Sequence, residues 1–260
     1  MELYVRHRAQ HGGVPIVASV PHSGLYVPPE INELFEPQHR RWLRNTDWYL
    51  PELYDFLPEL GVTVLVATHS RYVADLNRDP VGELHGDFTR GVIAEETAHG
   101  ARVYAVPREH RRLAGRLAAY HAPYHAELAK LLVDMVARFG HALLLDLHSF
   151  MGPIQNDVCL GDAWGTTCSS GVTAAFDAAL REQGFDVTLN APFAGGYIVR
   201  SHASPPRIEA LQIELRYTTY LDCSRIDEPG TPVLEPDRLA RARARVRQAL
   251  EHAIAALSGK

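Results

Sequence analysis

Cysteine is scarce in this chain of 260 residues, which has only Cys159, Cys168 and Cys223. Thiols so few and so scattered cannot form a framework of disulfide bonds, and they fit a reducing compartment. The first segment, MELYVRHRAQHGG, also lacks the apolar core of a secretory signal peptide. Both absences lead us to expect a cytoplasmic protein.

Long apolar runs and an excess of positive charge are absent as well. No segment approaches the ~18–20 consecutive apolar residues that a membrane-spanning helix needs, so no membrane partner is expected. The formal net charge is −5, which gives no electrostatic basis for binding nucleic acid. What is present is ordinary for a globular protein, with 46% apolar and 22% charged residues. The length predicts one large domain over residues 1–260 and leaves the oligomeric state open.

Strand and helix patterns alternate along the chain. Short β-branched or leucine-rich runs predict strands at 14–20, 61–70, 141–150, 186–193 and 209–222, and helical spacing predicts helices at 38–57, 109–140, 171–185 and 236–257. Pro123 divides the second helix and Gly140 ends it, whereas residues 79–106 have little periodicity. This alternation predicts an α/β fold with a mixed, largely parallel central sheet flanked by helices.

Polar clusters follow or end several predicted strands. They are PHSG at 21–24, RYVADLNRDP at 71–80, DLHS at 146–149 and IELR at 213–216. In open α/β sheets, ligands bind where the carboxyl ends of the strands meet. One polar residue at a strand end is routine, but four clusters rich in His, Asp and Glu predict a single assembled site.

Two histidines and a carboxylate are a common catalytic zinc shell that keeps one position open for water. His22 and His148 are the ligand candidates, and Glu214 is the candidate proton carrier because a carboxylate inside an apolar strand is costly unless it is paired or functional. The plainer alternatives are a turn role for His22 and an ion pair between Glu214 and Arg216. No H-E-x-x-H spacing identifies a third ligand.

Other polar residues fit supporting roles better. His121 and His125 have the i, i+4 spacing of metal ligands, but they flank Pro123, so a structural or supporting role is favoured. Asp146 is expected to orient His148 or a nearby helix N-terminus. A cysteine nucleophile is the alternative mechanism, but no evident base accompanies Cys159 or Cys168, and no G-x-S-x-G elbow is present.

The segments VPHSG, SRYVADLNRDP, YHAPYHAEL, LLLDLHSF, GGYIVR and LQIELRYTTYLD occur in this order over roughly residues 15–222. In content and order they resemble the motifs of the N-formylglutamate amidohydrolase (deformylase) family. The resemblance implies hydrolysis of N-formyl-L-glutamate to formate and glutamate, a step of histidine degradation. It also implies a small-molecule substrate as the only expected partner.

The chain also has a more distant similarity to zinc carboxypeptidases. This similarity implies a fold like theirs and a role for several individual residues of this chain. His22 and His148 would bind Zn²⁺ or another divalent transition metal, Asn77 and Arg78 would hold a substrate carboxylate, and Glu214 would be general base and acid. The carboxypeptidase pattern has Glu three residues after its first ligand, where this chain has Leu25. The TDW segment resembles the deformylase pattern and favours Asp47 as third ligand, with Asp75 as the alternative.

N-formylglutamate is a dianion, and arginine is the natural clamp for a carboxylate. The candidates are Arg71, Arg78 and Arg200, with Arg78 also expected to stabilise the oxyanion. Gly195 and Gly196 would let backbone approach the ligand. Two other functions stay open: a zinc hydrolase for another N-acylated amino acid or small peptide, and a non-catalytic protein that binds carboxylates.

Overall fold

The computed structural model describes residues 1–40, 42–111, 113–226 and 228–258. The described strands are β1 (Tyr4–His7), β2 (Ile16–Val20), β3 (Thr63–Ala67), β4 (His85–Gly86), β5 (Ile93–Ala94), β6 (Ala142–Phe150), β7 (Val158–Gly161), β8 (Val187–Leu189) and β9 (Ile208–Arg216). The α-helices are α1 (Pro29–Asn32), α2 (Leu50–Leu53), α3 (Leu113–Arg116), α4 (Ala122–Phe139), α5 (Ser170–Glu182), α6 (Tyr197–His202) and α7 (Pro236–Ser258).

Seven strands form one sheet in the order β1-β3-β2-β6-β9-β7-β8. The pairs β2–β3, β2–β6, β6–β9 and β7–β8 are parallel, whereas β1–β3 and β7–β9 are antiparallel. Strands β4 and β5 form a separate parallel pair. The predicted mixed, largely parallel sheet flanked by helices is therefore confirmed.

Helices cover both faces of the sheet. Helices α2, α5 and α7 pack on one face, which receives Leu143, Leu145 and Leu147 of β6. Helices α4 and α6 pack on the other face against Leu144 and against Ala210 of β9. Because side chains alternate along a strand, the polar residues that follow Leu144 by two and four positions lie on the α4 and α6 face.

The predicted helix over 38–57 is wrong. The described part of that range has a short 3₁₀ turn, Pro37–His39, and one short α-helix, α2 (Leu50–Leu53). Asn45 and Tyr49 have left-handed φ values of 63° and 57°, which a continuous helix does not allow. Many apolar residues of this segment are buried in the core although most of the segment is a loop. Their spacing resembled that of a helix, and the prediction was therefore wrong.

Other predicted elements agree with the structure within a few residues. Pro123 lies in the first turn of α4, and Gly140 caps the end of that helix with a φ of 85°. A π-helical segment, Leu117–His121, precedes α4. Strand β9 ends at Arg216, before the predicted limit, and β1, β7 and α6 were not predicted. No helix among the described residues is long and apolar enough to cross a membrane.

Candidate active site

The carboxyl ends of three neighbouring parallel strands carry the central polar residues. His22 follows the end of β2, and Asp146 and His148 lie in the second half of β6. Strand β9 contributes Gln212 opposite Asp146 and Glu214 opposite His148. Ser19 near the end of β2 is also paired with Asp146, so the register of the sheet brings these residues together.

His22, Asp47 and His148 form a buried cluster. One nitrogen of each histidine and one carboxylate oxygen lie within 4.8 Å of one another, and all three residues are at most 3% exposed. Asp47 Oδ2 lies 3.1 Å from His148 Nδ1 and 3.9 Å from His22 Nδ1. Two imidazoles and a carboxylate are a donor set that divalent transition metals accept. The cluster can therefore hold a metal ion.

Asp47 lies in a loop, but its backbone is tied to the strand that provides His22. The Asp47 N–H donates to the His22 carbonyl at 3.1 Å, and the Ser23 hydroxyl donates to the Asp47 carbonyl at 2.7 Å. These two bonds fix the distance between Asp47 and His22 without any helix or strand around Asp47. They explain how Asp47 joins the cluster although no sequence spacing relates it to His22 or His148.

The far nitrogen of each histidine faces a second carboxylate. His22 Nε2 donates to Asp75 Oδ1 at 2.8 Å, and His148 Nε2 donates to Asp146 Oδ2 at 2.9 Å. A proton on each Nε2 leaves the Nδ1 lone pair free on the side of Asp47. Metal-binding histidines have this arrangement, because the outer carboxylate fixes the tautomer and raises the basicity of the ligand.

Charges around the cluster set its protonation. Burial would raise the pKa of Asp75, but the Arg71 guanidinium holds that pKa well below its usual value. Burial, with Arg71, lowers the pKa of His22 to about 4, so its ring is neutral at pH 7. Burial alone would lower the pKa of His148, yet the Asp146 carboxylate places it well above the usual value. A proton or a metal cation is thus strongly favoured on His148.

Glu214 is buried, with 8% of its surface exposed, and burial raises its pKa to about 7. Its carboxylate accepts a hydrogen bond from Gln212 Nε2 at 3.1 Å, and Gln212 Oε1 accepts from the Gly196 N–H at 2.7 Å. Because a backbone N–H can only donate, this bond fixes the orientation of the Gln212 amide. A carboxyl group with a pKa near neutrality can both take and return a proton.

A cavity of about 580 Å³ lies near the cluster, but His22, Asp47 and His148 do not line it. Its lining includes Asn77, Arg78, Gly196 and Arg200. Asn77 lines the cavity and contacts the outer side of the cluster, since its Nδ2 lies 3.2 Å from His148 Nε2. The volume is in the range of small-molecule sites.

The three predicted arginines lie in different environments. Arg78 is half-buried and donates to the backbone carbonyls of Asn77 at 2.8 Å and Phe88 at 3.0 Å. Arg200 is exposed at the cavity rim and donates to the Gly195 carbonyl at 3.0 Å. Arg71 does not line the cavity and binds Asp75 instead, with its closest contact at 2.6 Å. Its predicted contact with substrate stays a prediction.

The structure shows which of the candidate residues lie in the cluster and which lie outside it. The cluster includes Asp47, whereas Asp75 lies on the far side of the His22 ring. His121 and His125 are not in the cluster and bind backbone carbonyls. Sequence reasoning missed Gln212, although its position two residues before Glu214 places both side chains on one face of β9.

The cysteine alternative has no support in the described residues. Cys159 and Cys168 are buried, and burial raises the pKa of each thiol to about 11. A thiol with so high a pKa is almost entirely protonated at neutral pH, and the protonated form is a poor nucleophile.

Comparisons with known proteins show which family the sequence resembles. The family model of N-formylglutamate amidohydrolase matches residues 14–221. The N-formylglutamate deformylase of Pseudomonas aeruginosa is 33% identical over 259 residues, covering 95% of both chains. That of Pseudomonas putida is 32% identical over 225 residues, covering 81% of this chain and 83% of that protein.

A solved structure has the same fold. The crystal structure of N-formylglutamate amidohydrolase from Ralstonia eutropha superposes with a TM-score of 0.80 and 24% sequence identity, and the match covers 100% of both chains. The family model over residues 14–221 and the relative that is 33% identical show that the chain belongs to the N-formylglutamate amidohydrolase family.

Proposed function

We propose that this protein hydrolyses N-formyl-L-glutamate to formate and L-glutamate in a metal-dependent reaction. The observation that carries the proposal is the buried His22–Asp47–His148 cluster with Glu214 opposite His148 on the next strand. The relatives named N-formylglutamate deformylase, one of them 33% identical over 95% of the chain, support this choice of substrate.

His22, Asp47 and His148 would hold the metal, and we propose Zn²⁺ because two imidazoles and a carboxylate suit it. A divalent cation there supplies Lewis acidity, which lowers the pKa of water toward ~7 and polarises a carbonyl oxygen. Asp75 and Asp146 keep the two rings in the tautomer that presents Nδ1, at 2.8 and 2.9 Å from the outer nitrogens.

Glu214 would move the proton. As a carboxylate it takes a proton from the attacking water, and as a carboxylic acid it gives that proton to the nitrogen of the leaving glutamate. A pKa of about 7 makes both forms accessible near neutral pH. Gln212 would hold the Glu214 carboxylate in one orientation through its 3.1 Å hydrogen bond.

The cavity supplies groups for the two carboxylates of the substrate. Arg200 at the rim would offer its Nη atoms for a bidentate contact, because among the described residues only its Nε has a hydrogen bond, to the Gly195 carbonyl. Asn77 and Arg78 line the end of the cavity near the cluster. Arg78 would stabilise negative charge that develops on the formyl oxygen.

The cellular setting follows from the thiols. The three cysteines are free, and Cys159 and Cys168 are buried. We propose that the enzyme works as a single domain in the cytoplasm, where thiols stay reduced.

The test is a panel of N-formyl-L-glutamate, N-acetyl-L-glutamate, N-formyl-L-alanine and a glutamyl dipeptide, assayed with metal-loaded protein. We expect formate release from N-formyl-L-glutamate, at least about tenfold slower turnover of N-formyl-L-alanine because it lacks the second carboxylate, and little release of acetate. Acetate or free amino acid as the dominant product would replace this proposal with another amidohydrolase or a peptidase. Absence of any hydrolysis despite bound metal would favour a binding protein.

A further inference from the structure

Three histidines form a stack outside the His22–Asp47–His148 cluster. His121 is the residue before α4, His125 lies in its first turns, and His202 ends α6. The ring centroids of His121 and His125 are 4.4 Å apart with an interplanar angle of 27°, and those of His125 and His202 are 5.1 Å apart at 3°. The Tyr197 ring packs against the first two.

The stack binds the backbone of the DLNR segment. His121 Nε2 lies 3.0 Å from the Arg78 carbonyl, and His125 Nε2 lies 2.9 Å from the Leu76 carbonyl. A carbonyl only accepts, so both Nε2 atoms carry a proton. In the neutral ring, His125 Nδ1 is then an acceptor, and it receives a hydrogen bond from His202 Nε2 at 2.8 Å.

The two bound carbonyls flank Asn77. The Asn77 side chain is itself fixed, since its Oδ1 accepts a hydrogen bond from the Ile198 N–H at 2.8 Å. Leu76, Asn77 and Arg78 are therefore held from α4 through the histidines and from α6 through Ile198 and His202. Asn77 and Arg78 both line the 580 Å³ cavity near the His22–Asp47–His148 cluster.

Hydrogen bonding, more than packing, explains why histidine is present. A leucine or phenylalanine would also fill the space, but it would leave two carbonyls without donors, and an unpaired buried carbonyl is costly. Burial lowers the pKa of all three histidines, that of His125 to about 3, so the rings are neutral at pH 7. Neutral rings keep the single donor and acceptor pattern that the stack needs.

We propose that His121, His125 and His202 are positioning residues that hold the Leu76–Arg78 backbone, and through it Asn77 and Arg78, in the geometry that fits the substrate. The proposal rests on the proposed function for its effect on catalysis. The claim that the histidines hold Asn77 does not depend on the proposed function. The Ile198 N–H donates to Asn77 Oδ1, so its hydrogen exchange can reveal a shift of Asn77 in the absence of substrate.

The test compares paired substitutions. His121→Gln and His125→Gln keep an N–H donor near the position of Nε2, whereas His121→Leu and His125→Leu remove it. His252→Leu is the matched control, since His252 is an exposed histidine on α7 that contacts Glu182. Each metal-loaded variant is examined for metal content, for kcat and KM with N-formyl-L-glutamate, and for hydrogen exchange of the Ile198 amide.

We expect the leucine variants to retain metal, to raise KM by about tenfold, the effect of one lost hydrogen bond of about 1.4 kcal/mol, and to exchange the Ile198 amide faster. The glutamine and His252→Leu variants should stay close to the unmodified protein. Equal damage in the glutamine and leucine variants, or leucine variants with unchanged exchange and KM, would overturn the proposal. If the leucine variants do not fold, His202→Leu and His202→Gln, at the end of α6, provide the same comparison.

The two proposals fail separately. A protein that does not hydrolyse N-formyl-L-glutamate refutes the proposed function, but faster Ile198 exchange in the leucine variants alone would still support the positioning role. Conversely, a fully active enzyme with insensitive Ile198 exchange and KM would refute the positioning role alone.

Discussion

His148 and Glu214 are register partners on the neighbouring parallel strands β6 and β9. Nine consecutive residues of β6 pair with nine of β9, so the spacing of a metal-ligand candidate and the proton-carrier candidate is set by the most extensive pairing in the described sheet. Groups placed on central strands are held more rigidly than groups on loops. The cavity-lining residues Asn77, Gly196 and Arg200, by contrast, come from connecting segments and the short helix α6.

Glu214→Gln should lower kcat by at least about 100-fold, because the amide cannot accept and return a proton. The variant has nearly the same shape and leaves His22, Asp47 and His148 intact, so metal content should not change. Metal analysis and initial rates check both points. Glu209→Gln, on the same strand but bonded to the Ser169 N–H, is the control and should keep full activity. Near-normal turnover by Glu214→Gln would contradict the proton-transfer role.

The signals for β6 and β9 were visible in the sequence for a physical reason. An apolar strand that ends in Asp146 and His148, or that contains Glu214, pays a desolvation cost that only pairing or function offsets. Asp47 gave no comparable signal, because two long-range backbone contacts to residues 22–23 determine its position. The wrong helix prediction over 38–57 has the same cause. The spacing of the apolar residues there is determined by their contacts with the core of the folded protein and not by a regular helical period.

Gln212→Leu should impair catalysis without removing the metal. Loss of the hydrogen bond to the Glu214 carboxylate disfavours its charged form and raises its pKa, so the acid limb of the kcat/KM profile should move to higher pH. We expect kcat to fall by about tenfold, since hydrogen bonds to charged groups contribute ~1.5–3 kcal/mol. A pH–rate series decides the matter, with the exposed Gln155→Leu as control. An unshifted acid limb would mean that Gln212 only supports the Gly196 turn.

Asp146→Asn should weaken metal binding. The negative charge of Asp146 raises the basicity of His148 through a 2.9 Å contact, and its loss makes Nδ1 a poorer ligand. Loss of such an outer carboxylate typically weakens metal affinity by about 10–100-fold. Competition with a chromophoric chelator measures this, and Asp134→Asn on the exposed side of α4 is the matched control. An unchanged affinity would show that Asp146 has no part in orienting His148.

Gly196→Ala should disturb the substrate cavity selectively. A Cβ at residue 196 would lie 2.3 Å from Asn77 Nδ2, so the Asn77 side chain must move. Displacement of a positioning group by about 1 Å can cost roughly 100-fold in rate, and we expect a loss between tenfold and that value in kcat/KM. At Gly115 in α3 a Cβ would meet no atom within 4 Å, so Gly115→Ala should keep activity and stabilise the helix by about 1 kcal/mol. Equal kinetics in both variants would contradict the close approach at Gly196.

Acid should destabilise the protein partly through His125. Burial lowers its folded-state pKa to about 3, below the ~6.5 of an unfolded histidine. The stabilising contribution is therefore complete above pH ~6.5 and is lost as pH falls toward the folded-state pKa, because the unfolded chain binds the proton first. At a pH of about 5.5 the loss amounts to roughly 1.4 kcal/mol for one histidine. Urea unfolding of the metal-loaded protein at two pH values measures it, and His125→Gln, which does not titrate, should show a smaller decrease. An identical decrease in both proteins would mean that His125 is not kept neutral by the fold.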